Sequence, residues 1–114
     1  MPHPLDTSKL RKGDLIFLSR YHAEQETPGR PAVVVSDLAH NETSTNLFVA
    51  YLTADRTVGE TDYTIPTQLN GRPSWIMMER MNSVTKDRVM AAAGHVEPHT
   101  IDAMDAALQL AFSL

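Results

Sequence analysis

Residues 27–37 read TPGRPAVVVSD and set a guanidinium directly before a run built for burial. Ala32–Ser36 suits a strand packed on both faces, because three consecutive valines favour a pleated, buried position. Pro31 fits such a strand's first residue, where no ladder donor is needed. Arg30 is then constrained from both sides. The proline after it restricts its backbone to extended conformations, and Pro28-Gly29 before it marks a turn. A fork of donors held at a strand entrance is matched to phosphate oxygens. Upstream, the polar loop SRYHAEQETPG (residues 19–29) carries Glu24, Gln25 and Glu26. Either these face solvent, or Glu24 serves Arg30 as a base or an orienting partner.

The five histidines are His3, His22, His40, His95 and His99. His95 and His99 have H-x3-H spacing, but Gly94 and Pro98 break the helix that would align a metal pair. His22 lies in the long loop, where it could do acid–base work on a phosphodiester. The plainer reading makes all five solvated loop residues. No P-loop, G-x-S-x-G or H-E-x-x-H motif is present. Neither a metal nor a cofactor is expected.

The elements that must hold Arg30 are short. Leu15–Leu18 reads as a first strand, Arg30–Ser36 as a second and Asn46–Thr53 as a third. Thr61–Ile65, with Thr61, Tyr63 and Ile65 alternating, is a candidate fourth. Asn70-Gly71 marks a turn, and Trp75–Met78 is a fifth strand that could run on to Val84. A helical turn is expected at Thr85–Arg88 and a last short strand at Gly94–Val96. Pro98 then opens an amphipathic helix, with Ile101, Met104, Leu108 and Ala111 on one face. Met77, Met78 and Met81 read as core filling. Several strands and a terminal helix predict a mainly β fold, a small antiparallel barrel capped by that helix.

Bulk properties narrow the function classes. A chain of 114 residues supports one domain and one core, with residues 1–10 as a loose lead-in. No run of eighteen apolar residues occurs, so no membrane span is expected. The absence of cysteine removes thiol chemistry, and a cytoplasmic location follows by default. A net charge of −4 argues against coating nucleic acid electrostatically, but not against a few cations placed at one phosphate. Arg11, Lys12, Arg20 and Arg30 lie early, while no Lys or Arg follows Glu97. An acidic C-terminal helix face is most simply solvated.

The whole pattern goes further than any one piece. KGDLIFL at 12–18, EQ at 24–25 closing on GRPAVVVSD at 29–37, Asn41, AYLT at 50–53 and SWIMMERMNSV at 74–84 occur in order. DRV and Gly94 follow, then the closing IDAMDAALQLAFSL. This ordered set resembles the MazF/PemK toxins, the endoribonucleases of type II toxin–antitoxin modules. The resemblance implies an SH3-like, CcdB-like barrel formed as a homodimer. It implies metal-independent, sequence-selective cleavage of single-stranded RNA to a cyclic phosphate and a 5′-hydroxyl. It places the catalytic pair on Arg30 and Thr53, with Glu24 as the candidate base. Arg20, Gln25, Tyr51, Arg72, Glu79 and Arg80 are the positions it points to for RNA binding. An antitoxin of the MazE kind, with an acidic C-terminal segment, is the implied protein partner.

Several positions depart from the family pattern. Glu79-Arg80 stands where an acidic residue and glutamine are common, Asn82 replaces a frequent arginine, and Tyr51 replaces a frequent proline. The alternative is a non-catalytic toxin of the same fold that inhibits a protein target such as a topoisomerase. Keeping both Arg30 and Thr53 favours the nuclease.

Overall fold

The computed structural model describes residues 5–19 and 29–113. Among them six strands form one curled sheet: β1 (Asp14–Leu18), β2 (Arg30–Val34), β3 (Asn46–Thr53), β4 (Thr64–Leu69), β5 (Arg72–Thr85) and β6 (Val89–His95). Two helices accompany them, α1 (Leu38–Thr43) and α2 (Pro98–Phe112). The strand order is β4-β5-β3-β2-β1-β6, with every neighbouring pair antiparallel. The result is a half-barrel with a C-terminal helix, as the sequence predicts. No helix among the described residues is long and apolar enough to cross a membrane.

The unbroken apolar run in β2 has a direct cause. Alternate residues of the central strands enter two different cores. Val33, Ala50, Leu52 and Ile76 pack on one face with Met104 and Ala107 of α2. Ala32, Val34, Val49 and Tyr51 pack on the other with Leu10, Ile16 and Val84. Both faces of β2 are therefore withdrawn from water, and neither can be polar.

Several boundaries differ from those expected. β4 begins at Thr64 rather than Thr61, because Thr61 and Thr64 exchange backbone hydrogen bonds of 3.2 and 3.4 Å that close a turn. Pro66 is tolerated inside β4 because that strand is an edge, pairing with β5 alone. β4 and β5 are joined at Asn70-Gly71, whose φ values of 52° and 78° are those of a two-residue hairpin turn. β6 spans Val89–His95 instead of a few residues around Gly94. Its Ala-rich stretch has neither β-branching nor alternation to announce a strand.

The face of α2 is also rotated. Thr100, Met104 and Ala107 are buried and Ile101 and Leu108 half-buried, while Ala111 is exposed where the helix has passed the sheet. The lead-in, expected loose to residue 10, is ordered from Thr7: Asp6 caps a 3-10 turn and Leu10 is buried in the core.

Candidate functional site

Arg30 opens β2 and pairs with Leu18 of β1. Gly29 before it lies so close to β1 that a Cβ there would meet Leu18 O and Phe17 Cβ at 2.9 Å. Only a glycine lets the chain enter the strand at this place. The guanidinium carbon of Arg30 sits over the ring of Tyr51, 3.8 Å from its centroid. Tyr51 is itself 8% exposed, and its hydroxyl accepts a hydrogen bond from Asn82 Nδ2 at 3.4 Å.

Thr53 shares this face. Ala32 stands opposite Tyr51. Continuing that antiparallel register two places sets Arg30 opposite Thr53, side chains on one side of the sheet. The half-buried Thr53 accepts the backbone N–H of Asp55 on its Oγ1 at 3.2 Å. That bond uses a lone pair and leaves the hydroxyl proton for another acceptor. Asp55 in turn is occupied: the Thr57 hydroxyl and then the Thr57 N–H hold its carboxyl below the usual range. A cation and a hydroxyl donor thus converge at adjacent strand ends. This arrangement can bind a phosphate and donate to it.

The other residues predicted from the sequence are spread around this point. Ala50 pairs with Met81 but Tyr51 pairs with Met77, so Met78–Arg80 form an insertion in β5. Glu79 and Arg80 sit on that bulge, exposed and beside the position of Tyr51. Neither makes an ion pair among the described residues. Arg72 lies three residues before Trp75, the partner of Thr53. At about 3.3 Å per residue it is roughly 10 Å further along the β4–β5 hairpin. Arg20, His22, Glu24 and Gln25 lie outside the described residues. The segment carrying them departs after Ser19, whose carbonyl accepts Arg88 Nε and Nη2 at 3.0 and 2.8 Å, and returns at Gly29. Both ends of that segment therefore adjoin the Leu18–Arg30 pair.

Two residues acquire roles that the sequence did not announce. Asn82, read as a lost arginine, is the hydrogen-bond partner of Tyr51. Asn41 is fully buried and donates to Leu10 O at 2.8 Å and Ser36 O at 3.0 Å, while its Oδ1 accepts from the Ser36 hydroxyl. It ties α1 to the lead-in and to the end of β2. A lone Asn in a polar stretch carries no signal of burial.

His95 and His99 line a cleft of about 440 Å³ with Pro66, Gln68, Glu97 and Thr100. Three histidines lie in regular elements and not in the loops of the plainer reading, His99 in the first turn of α2. His95 ends β6 and meets Asp14 Oδ1 at 2.7 Å; His40 is in α1, its ring 5.2 Å from that of Phe48. His99 meets Glu97 at 3.2 Å. Among the described residues no three His, Cys, Asp or Glu side chains are grouped as a metal ion would need.

The family model for PemK-like, MazF-like toxins of type II toxin–antitoxin systems matches residues 11–112. The chain belongs to this family. No curated protein sequence matches it closely. Among solved structures, an endoribonuclease from a mycobacterial species superposes with a TM-score of 0.76 at 18% identity, covering 93% of both chains. A mycobacterial endoribonuclease in complex with its cognate antitoxin gives 0.74 at 20% identity, over 92% of this chain and 95% of that one. The MazE–MazF complex of Deinococcus radiodurans gives 0.72 at 14% identity, over 91% and 96%. At these identities the likeness concerns the fold.

Proposed function

We propose that this MazF-like toxin is a metal-independent endoribonuclease that cuts single-stranded RNA by attack of a 2′-hydroxyl on its neighbouring phosphate. The 2′-oxygen forms a bond to phosphorus and gives its proton to a base, for which Glu24 is the candidate. The bond from phosphorus to the 5′-oxygen breaks, and that oxygen takes up a proton. The products are a cyclic phosphate and a 5′-hydroxyl. Arg30 stabilises the charge on the phosphorane, and Thr53 donates to one of its oxygens. Arg20, Gln25, Arg72, Glu79 and Arg80 form the surroundings that receive the strand.

The observation that supports this reading is the register of β2 on β3, with Ala32 opposite Tyr51, which carried on two places brings Arg30 and Thr53 to one face of the sheet. A toxin that acts only by binding a protein has no need of that pair. The active species is a homodimer. Its cognate antitoxin, meeting the cations through an acidic segment, competes with RNA.

The test is incubation of the purified protein with a long unstructured RNA in EDTA, followed by analysis of the new ends. Cleavage with cyclic phosphate ends is expected. Activity lost in EDTA and restored by a divalent ion would place the protein in another nuclease class. Complete inertness toward RNA, with capture of a topoisomerase, would favour the alternative reading.

A further inference from the structure

Arg30 poses a problem that its position alone does not solve. An arginine side chain samples many rotamers, and few of them aim its fork at a given phosphate. The usual solution is a carboxylate, which consumes donors and offsets the charge. Among the described residues none is paired with Arg30. Instead its guanidinium carbon lies 3.8 Å from the centroid of Tyr51, well inside the range of a cation–π contact. Such a contact holds the cation through the ring face and neutralises nothing.

The ring is restrained as well. A buried tyrosine hydroxyl needs a partner, and Asn82 donates to it from β5 at 3.4 Å. Asn82 stands opposite Val49, two residues from Tyr51 on β3. With Tyr51 only 8% exposed and the guanidinium over its ring, little of it is left for a base to stack on.

We propose that Tyr51 and Asn82 are a positioning platform for Arg30: the ring holds the guanidinium, and Asn82 holds the ring. Tyr51 then acts through Arg30 and not by touching RNA. The catalytic consequence rests on the nuclease reading above, whereas the platform itself can be measured without RNA.

The experiment has two arms on the full-length chain. NMR of isotopically labelled protein follows the Arg30 side chain. Its protons should be shifted upfield by the Tyr51 ring and its Nε relaxation should be that of an immobile group. Single-turnover cleavage of a long unstructured RNA separates the rate at saturating protein from the half-saturating concentration. In Tyr51→Leu the upfield shift should vanish. The saturated rate should fall about 10- to 100-fold, as expected for a misplaced group, at unchanged half-saturation. Tyr51→Phe and Asn82→Ala should each cost about three- to ten-fold, and the double variant no more than either, because both remove one hydrogen bond.

Weaker RNA binding at an intact saturated rate in Tyr51→Leu would make Tyr51 an RNA contact and overturn the proposal. Additive losses in the double variant would overturn the role of Asn82. If Tyr51→Leu does not fold, Tyr51→Phe and Asn82→Ala decide: full rates with unchanged Arg30 relaxation overturn the platform. An unshifted, mobile Arg30 in the wild type overturns it whether or not RNA is cut. A wild type that cuts no RNA while Arg30 keeps its shifted, immobile signature supports the platform and sinks the nuclease reading.

Discussion

Two regions of this toxin carry polar chemistry, and they handle charge in opposite ways. The cleft between β4 and α2 is rich in functional groups, with two histidines, a glutamate and a glutamine around about 440 Å³. Each of those histidines already has a carboxylate partner: Asp14 for His95 and Glu97 for His99. The face at the ends of β2 and β3 is sparse, with one arginine, one threonine and one aromatic ring. Its cation rests on a ring, and its hydroxyl keeps a proton to give. Counting reactive residues would select the cleft. Asking which charge has no counter-ion among the described residues selects the sparse face, because a cation that no carboxylate offsets is available to an anionic ligand.

The largest effect that would break this comparison lies at the sparse face. Arg30→Ala and Thr53→Ala should each lower RNA cleavage about 10²- to 10³-fold, the usual loss for one donor to a transition-state charge. Circular dichroism and thermal unfolding should be unchanged, since Arg30 is exposed and Thr53 half-buried. Near wild-type rates in both folded variants would remove the mechanism.

Next in size is an interior counterpart, where polar groups are spent on structure. Asn41→Ala should cost about 2–3 kcal/mol in denaturant unfolding, because it leaves the buried carbonyl of Leu10 and the part-buried carbonyl of Ser36 without their donor. Cleavage by the folded fraction should persist. A loss below about 0.5 kcal/mol, the range of surface changes, would mean that water replaces the amide.

Arg80 sharpens the boundary of the sparse region. It is exposed on the β5 bulge and unpaired with Glu79 among the described residues, which leaves its guanidinium open to an anion. Arg80→Gln should weaken binding to all RNA sequences and lower the salt slope by about one unit. A relaxed preference at one nucleotide would instead show that it reads a base edge. No change in either would return it to the bland surface.

The smallest effect is expected in the cleft. His95→Ala removes the contact with Asp14, and the pair is partly exposed, at 36% and 18%. Stability should drop by about 0–1 kcal/mol, and RNA cleavage should not change. A fall in cleavage of about ten-fold or more, equivalent to ~1.4 kcal/mol, would show that the cleft takes part after all.

Much of this arrangement was legible before any coordinates. The three central strands, the terminal helix and the strand-entrance arginine follow from local rules: Val-rich runs, turn residues, and a helical period behind Pro98. Those signals are local because burial on both faces demands an unbroken apolar run, and because proline and glycine act on their own backbone. β6 was mostly missed because alanine and glycine carry no strand signal, and the edge that holds them requires no apolar alternation. The start of β4 was misplaced because Thr61, Tyr63 and Ile65 alternate across a turn.

Residue order alone is enough for the family pattern, the strand that presents Arg30 and the absence of thiol chemistry. Who faces whom is settled by packing between strands. Register across β2 and β3 sets Arg30 against Tyr51 and on the face of Thr53, and the bulge in β5 sets Met81 opposite Ala50 but Met77 opposite Tyr51. Asn82 became the partner of Tyr51 and Asn41 an interior tie. Those pairings depend on residues 31 positions apart in both cases. No spacing rule within a strand or helix reaches that far, so folding alone brings the partners together.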